Sequence, residues 1–91
     1  MELIFRERAL CDLEDIETYY LREAPEALPK VLGDIRQVLN QLENFPRSGR
    51  AIGRRNARRA LSPRYRYIVS YHVTRNAIEI VGIFRFQNRD A

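Results

Sequence analysis

The opening residues alternate. Leu3 and Phe5 fall on one side of an extended chain and Glu2, Ile4 and Arg6 on the other, which predicts a short strand over residues 2–6. From Ala9 the period changes to that of a helix: Ala9, Leu13, Ile16 and Tyr20 make one apolar stripe, and Asp12, Glu14, Asp15 and Glu17 lie off it. Acids in the early turns suit the positive end of the helix dipole. A first helix is predicted from about Ala9 to Arg22. Pro25 and Pro29 punctuate the next stretch. Proline is tolerated in a first helical turn, where its missing N–H had no partner anyway, so a second helix is predicted to start near Glu26. Leu28, Val31, Ile35, Val38 and Leu42, with Leu32 and Leu39 alongside, give it a broad apolar stripe. Pro46 ends it by pushing Phe45 toward extended geometry.

After the helices the alternation returns. Residues 46–56, with one proline and two glycines, read as an irregular loop. Ala57–Leu61 predicts a short strand that Ser62-Pro63 breaks. Tyr65, Tyr67, Val69, Tyr71 and Val73 alternate with Arg66, Ile68, Ser70 and His72, a strong strand pattern. Thr74-Arg75-Asn76 reads as a hairpin turn. Ile78, Ile80, Gly82, Phe84 and Phe86 alternate with Glu79, Val81, Ile83 and Arg85, and both faces are largely apolar, so this strand belongs in the middle of its sheet. The order is β-α-α-β-β-β. The pattern predicts a single α+β domain over residues 1–91, an antiparallel sheet with a helical hairpin packed on one face.

A chain of 91 residues leaves roughly 35–40% of its unfolded surface exposed after folding, so its core is thin and a covering partner matters. Charge is divided unevenly along it. Residues 1–45 carry five basic and ten acidic groups; residues 46–91 carry eleven arginines against Glu79 and Asp90. Between Arg47 and Arg66 lie eight arginines and no acid, and the whole chain has a single lysine. The planar fork of arginine pairs with carboxylates and phosphates at two points, which lysine cannot do. So dense an acid-free run repels itself without an anionic partner.

The chemistry that other residues offer is narrow. Cys11 stands alone, excluding an intramolecular disulfide, and His72 is the one histidine, excluding a histidine-based metal cluster. No dinucleotide, phosphate-loop or zinc-protease motif is present, so neither a cofactor nor a metal is expected. Cys11 reads as a small helix residue and His72 as a strand surface group. The N-terminus lacks the pattern of a secretory leader, and no stretch approaches the length of a membrane span, so a cytoplasmic protein with no membrane contact is expected. The arginines, with a tyrosine, histidine or glutamate to move a proton, would also be compatible with metal-free RNA cleavage. Tyr65, Tyr67 and Tyr71 could then stack on bases, although strand alternation places at least two of them in the core.

Four stretches carry a family resemblance. Ala9 to Tyr19 resembles the A-x-x-D-L-x-x-I-x-x-Y helix of RelE/ParE-superfamily toxins. Leu42 to Arg50 is similar to their L-x-x-x-P-x-x-G-R junction, and Arg66 to Val73 to their R-x-x-V-x-Y-x-V strand. The ending from Ile83 to Asp90 resembles the closing strand and its trailing Arg-Asp. The resemblance implies the toxin of a bacterial type II toxin–antitoxin pair, wrapped by an acidic, partly disordered segment of a cognate antitoxin. ParE-like members inhibit DNA gyrase; RelE-like members cut messenger RNA on the ribosome. Ribonuclease members carry a proton-transfer histidine or tyrosine near the end of the last strand, where this chain has Phe86-Gln87-Asn88. That departure favours the gyrase inhibitor, with the ribosome-dependent ribonuclease as the alternative. Arg47, Arg50, Arg58, Arg66 and Arg85 are the candidate contacts for partner or target, and Arg50, Arg66 and Arg85 would serve catalysis in a ribonuclease. Gly49 is expected to let the junction turn sharply, and Arg50 to contact a partner or tie the loop to the sheet.

Overall fold

The computed structural model describes residues 1–53 and 56–85. Within them the chain runs through β1 (Glu2–Phe5), α1 (Glu7–Glu23), a 3-10 turn (Pro25–Ala27), α2 (Leu28–Asn44), β2 (Arg50–Ala51), β3 (Ala57–Leu61), β4 (Tyr67–Val73) and β5 (Ala77–Arg85). The strands form one five-stranded sheet in the order β1-β5-β4-β3-β2. The last strand lies inside the sheet, between β1 and β4, although β4 holds the middle place. Arg54, Arg55, the Phe86-Gln87-Asn88 stretch and the trailing Arg89-Asp90 lie outside the described residues.

Both predicted helical stripes are core. Ala9, Ile16 and Tyr20 of α1 and Val31, Ile35, Val38 and Leu42 of α2 are buried against Val69, Tyr71 and Val73 of β4 and Ile78, Ile80 and Ile83 of β5. Leu13 and Leu28 flank them, partly buried. The boundaries move slightly. α1 begins at Glu7, because the Arg6 amide still donates to the Ile80 carbonyl at 2.9 Å and the chain turns from sheet to helix in one residue. α2 begins at Leu28: Pro25 heads a separate 3-10 turn, and Pro29 occupies the first turn of the helix, where no N–H is needed.

Two features of the sheet depart from the sequence reading. β1 lies parallel to β5, from Glu2 opposite Ala77 to Phe5 opposite Ile80, while the other pairings are antiparallel. A parallel pair needs a long connection, and the helical hairpin and three strands between β1 and β5 provide it. The loop after α2 also contains β2, whose Arg50 and Ala51 pair with Arg59 and Arg58.

Between β4 and β5 the register slips. Ser70 faces Gly82 and Tyr71 faces Ile80, so Val81 is an extra residue on β5. The Ile83 amide beside this bulge donates to Asp12 Oδ2 at 2.9 Å. Asp12 thereby bonds α1 to the sheet where the β4–β5 ladder is interrupted.

Candidate functional site

The junction after α2 is held from beneath. Tyr71, fully buried, donates its hydroxyl to the Pro46 carbonyl at 2.8 Å and accepts the Gly49 amide at 2.9 Å. Arg58 donates through Nη1 to the carbonyls of Arg47 at 3.1 Å and Gly49 at 2.6 Å. Gly49 does not have a positive φ; in this loop that conformation falls on Gly53, at 57°. What Gly49 supplies is space. A Cβ there would lie 2.8 Å from the Arg59 carbonyl oxygen and closer still to the Tyr71 hydroxyl. The glycine serves close approach, and the sharp turn expected of it is made elsewhere.

A second turn, between β3 and β4, is held by α2. Asp34 is buried, and its carboxylate accepts the amides of Arg64 at 3.1 Å and Tyr65 at 2.7 Å. Burial pushes this carboxyl up, but the Tyr65 amide, the Ser62 hydroxyl, and the amide and charge of Arg64 together hold it below the usual carboxylate range. The chain leaves the turn through Arg66, whose φ of 62° is left-handed.

Between these turns, α2 and the β2–β3 edge of the sheet enclose a groove of about 750 Å³. Val38, Ile52, Ala60, Leu61 and Ile68 give it an apolar floor, and Arg50, Arg59 and Arg66 supply its charge. No acidic side chain lines it among the described residues. Arg50 and Arg59 are direct cross-strand partners. Like charges so placed, with Cβ atoms roughly 5 Å apart, destabilise a sheet unless an anion intervenes. The row Leu61–Ile68–Phe84 carries the apolar surface onward across the helix-free face, where Leu61 is 45% and Phe84 39% exposed and Arg59 lies 5.6 Å over the Phe84 ring.

The five arginines singled out in the sequence thus separate. Arg50 and Arg66 line the groove. Arg58 is half-buried and engaged with backbone carbonyls, so the tie between loop and sheet comes from it, while Arg50 joins the sheet through its backbone in β2. The Arg47 side chain is exposed outside the groove lining. Arg85 sits at the end of β5, 5.4 Å over the Tyr67 ring and 3.5 Å from the Tyr20 hydroxyl. Arg59 is the groove residue that the sequence reading missed. Strand alternation required Arg58 and Arg59 to face opposite ways, but not which of them faced out.

Neither of the buried strand tyrosines is suited to proton transfer. Burial, together with the neighbouring Tyr20 hydroxyl, pushes Tyr67 up to about 12 against the opposing pull of Arg85. Burial also raises Tyr71, opposed by the Gly49 amide and the Arg58 charge. His72 is exposed on β4 and is not among the groove residues. Among the described residues no group of three His, Cys, Asp or Glu side chains is placed to hold a metal ion, and no helix is long and apolar enough to cross a membrane.

A helical hairpin on one face of a mixed sheet, with an arginine-lined groove at the β2–β3 edge, defines a small two-layer α+β domain built around a basic cleft. The family model described as "ParE toxin of type II toxin-antitoxin system, parDE" matches residues 3–90, and the chain belongs to that family. It is a toxin of the ParE kind, and the family match gives the RelE-like alternative no support. In structure it is similar to a chain from the "Chromosomal ParDE TA system from P. aeruginosa", with a TM-score of 0.80 and 24% identity over 96% of this chain and 97% of that one. At that identity the likeness is one of fold. No curated protein sequence matches the chain significantly.

Proposed function

We propose that this toxin acts in the bacterial cytoplasm as an inhibitor of DNA gyrase, and that a cognate antitoxin neutralises it by laying an acidic, partly apolar segment into the groove. The observation that carries the antitoxin site is the cross-strand pair Arg50–Arg59 over an apolar floor in an acid-free lining. Nucleic acid would match the charge but not the floor of Val38, Ala60 and Leu61; a peptide with alternating carboxylates and aliphatic side chains matches both. The groove offers cations and apolar contact without a group that titrates near neutrality, which supports inhibition by binding over cleavage of RNA.

A supercoiling assay tests the target. Purified gyrase is given relaxed plasmid, ATP and an excess of the toxin. The expected result is loss of supercoiled product with accumulation of cleaved DNA, reversed by adding antitoxin. Unaffected gyrase under the same conditions would overturn the assignment.

A further inference from the structure

The turn between β3 and β4 is bonded beyond what its length requires. Ser62 and Tyr67 close its base: the Ser62 amide donates to the Tyr67 carbonyl at 2.8 Å, and the Tyr67 amide to Ser62 Oγ at 2.8 Å. Inside it lies Asp34, only 5% exposed, filling the turn from α2 and taking both the Arg64 and the Tyr65 amide. A buried carboxylate is unfavourable unless its bonds are made, and a short strand connection closes readily without one. The effect of this bonding falls on the next residue. Arg66 follows the two captured amides and is held at a φ of 62°, a region uncommon for any side chain but glycine, asparagine or aspartate. Glycine would take that backbone without strain. The arginine side chain is exposed and lines the same groove as Arg50 and Arg59. Backbone strain of this kind gathers where a side chain must be presented to a ligand.

We propose that Asp34 is a positioning residue: by holding the Arg64 and Tyr65 amides it fixes Arg66 in the left-handed conformation and aims its guanidinium at a carboxylate of the segment bound in the groove, making Arg66 the specificity-determining contact. This rests on the groove being the antitoxin site. The flat guanidinium meets a carboxylate at two points when its approach is fixed, whereas a lysine supplies only charge.

The test measures, for each variant, the dissociation rate of the cognate antitoxin and the melting temperature of the free toxin. Arg66→Gly is expected to melt no lower than the unaltered protein, because the strained backbone is relieved, while antitoxin leaves about tenfold faster or more. Arg66→Lys is expected to fall between the two in dissociation rate. Asp34→Asn is expected to speed dissociation severalfold in the otherwise unaltered toxin, and by less than about twofold once Arg66 is alanine, because Asp34 acts through Arg66. A purely structural Asp34 would instead give the same change in both backgrounds, and that result overturns the proposal. So does an Arg66→Gly toxin that holds antitoxin as tightly as before. If Asp34→Asn does not fold, the paired readouts on Arg66→Gly decide alone. Arg50→Ala and Arg59→Ala distinguish loss of the positioning role from a groove that does not hold the antitoxin. If they speed release while Arg66→Gly does not, only the positioning role fails; if none of the three does, the groove is not the antitoxin site.

Discussion

At Gly49 a missing side chain lets two strands of bonding converge on one amide and one carbonyl. Tyr71 accepts the amide and Arg58 donates to the carbonyl. An added methyl would press on the Tyr71 hydroxyl and the Arg59 carbonyl, and the latter is backbone that cannot swing aside. Gly49→Ala is therefore expected to destabilise the toxin by about 1–3 kcal/mol, and Tyr71→Phe, which keeps the ring but orphans the Gly49 amide, by a similar amount. Chemical denaturation of each variant against the unaltered chain checks both. The glycine itself was legible in the P-x-x-G-R spacing, but its reason was not. Turn residues announce themselves locally, whereas the atoms that crowd Gly49 come from Tyr71, 22 residues further on. Arg58 and Arg59 show the same limit. Two adjacent strand residues must face opposite ways, yet only the pairing of Arg58 with Tyr71 on the core-facing side decides that Arg59 is the one at the groove.

Among the elements, the helices were the most legible, because a stripe of apolar residues carries its own period. Strands β3, β4 and β5 were legible for the same reason. β2 was not: two residues are too few to show an alternation, and Arg50–Ala51 becomes strand only because Arg58 and Arg59 are there to pair with it. The bulge at Val81 was equally silent, since an unpaired residue in a run apolar on both faces leaves no trace in the pattern. Asp12, read simply as an acid off the stripe, is the element-level link that the bulge calls for. Asp12→Ala would leave the Ile83 amide without a partner beneath α1. The expected loss is about 1–3 kcal/mol. Hydrogen exchange at Ile83 should speed up more than at Ile78 or Ile80, and equal acceleration at all three would argue against a local role for Asp12.

Over the whole molecule, the two halves of the sequence remain chemically distinct after folding. The first half, net −5 from five basic and ten acidic groups, supplies β1 and the helical hairpin. The second half, net +9 from eleven arginines and two acids, supplies the rest of the sheet and the three arginines of the groove. An acidic antitoxin segment should be drawn to the groove by a field that salt screens, since the screening length falls from about 10 Å at roughly 0.1 M to about 3 Å at 1 M. The association rate measured by stopped flow is expected to fall by about tenfold or more over that range, and less steeply for Arg59→Ala. A salt-independent rate would mean that the groove's charge does not guide the encounter.

By itself the sequence determined the two helices, the three long strands, their order, the thin core and the concentration of cations in the second half, because each is a property of spacing or count along the chain. The toxin family was legible there too, in motifs whose order survives without the fold. Only the tertiary structure decided which arginines share a groove, that β1 runs parallel to β5, and that Asp34 and Asp12 reach across from helix to backbone amides. Those facts depend on which distant segments meet, and burial and hydrogen-bond satisfaction settle that only when the whole chain has packed.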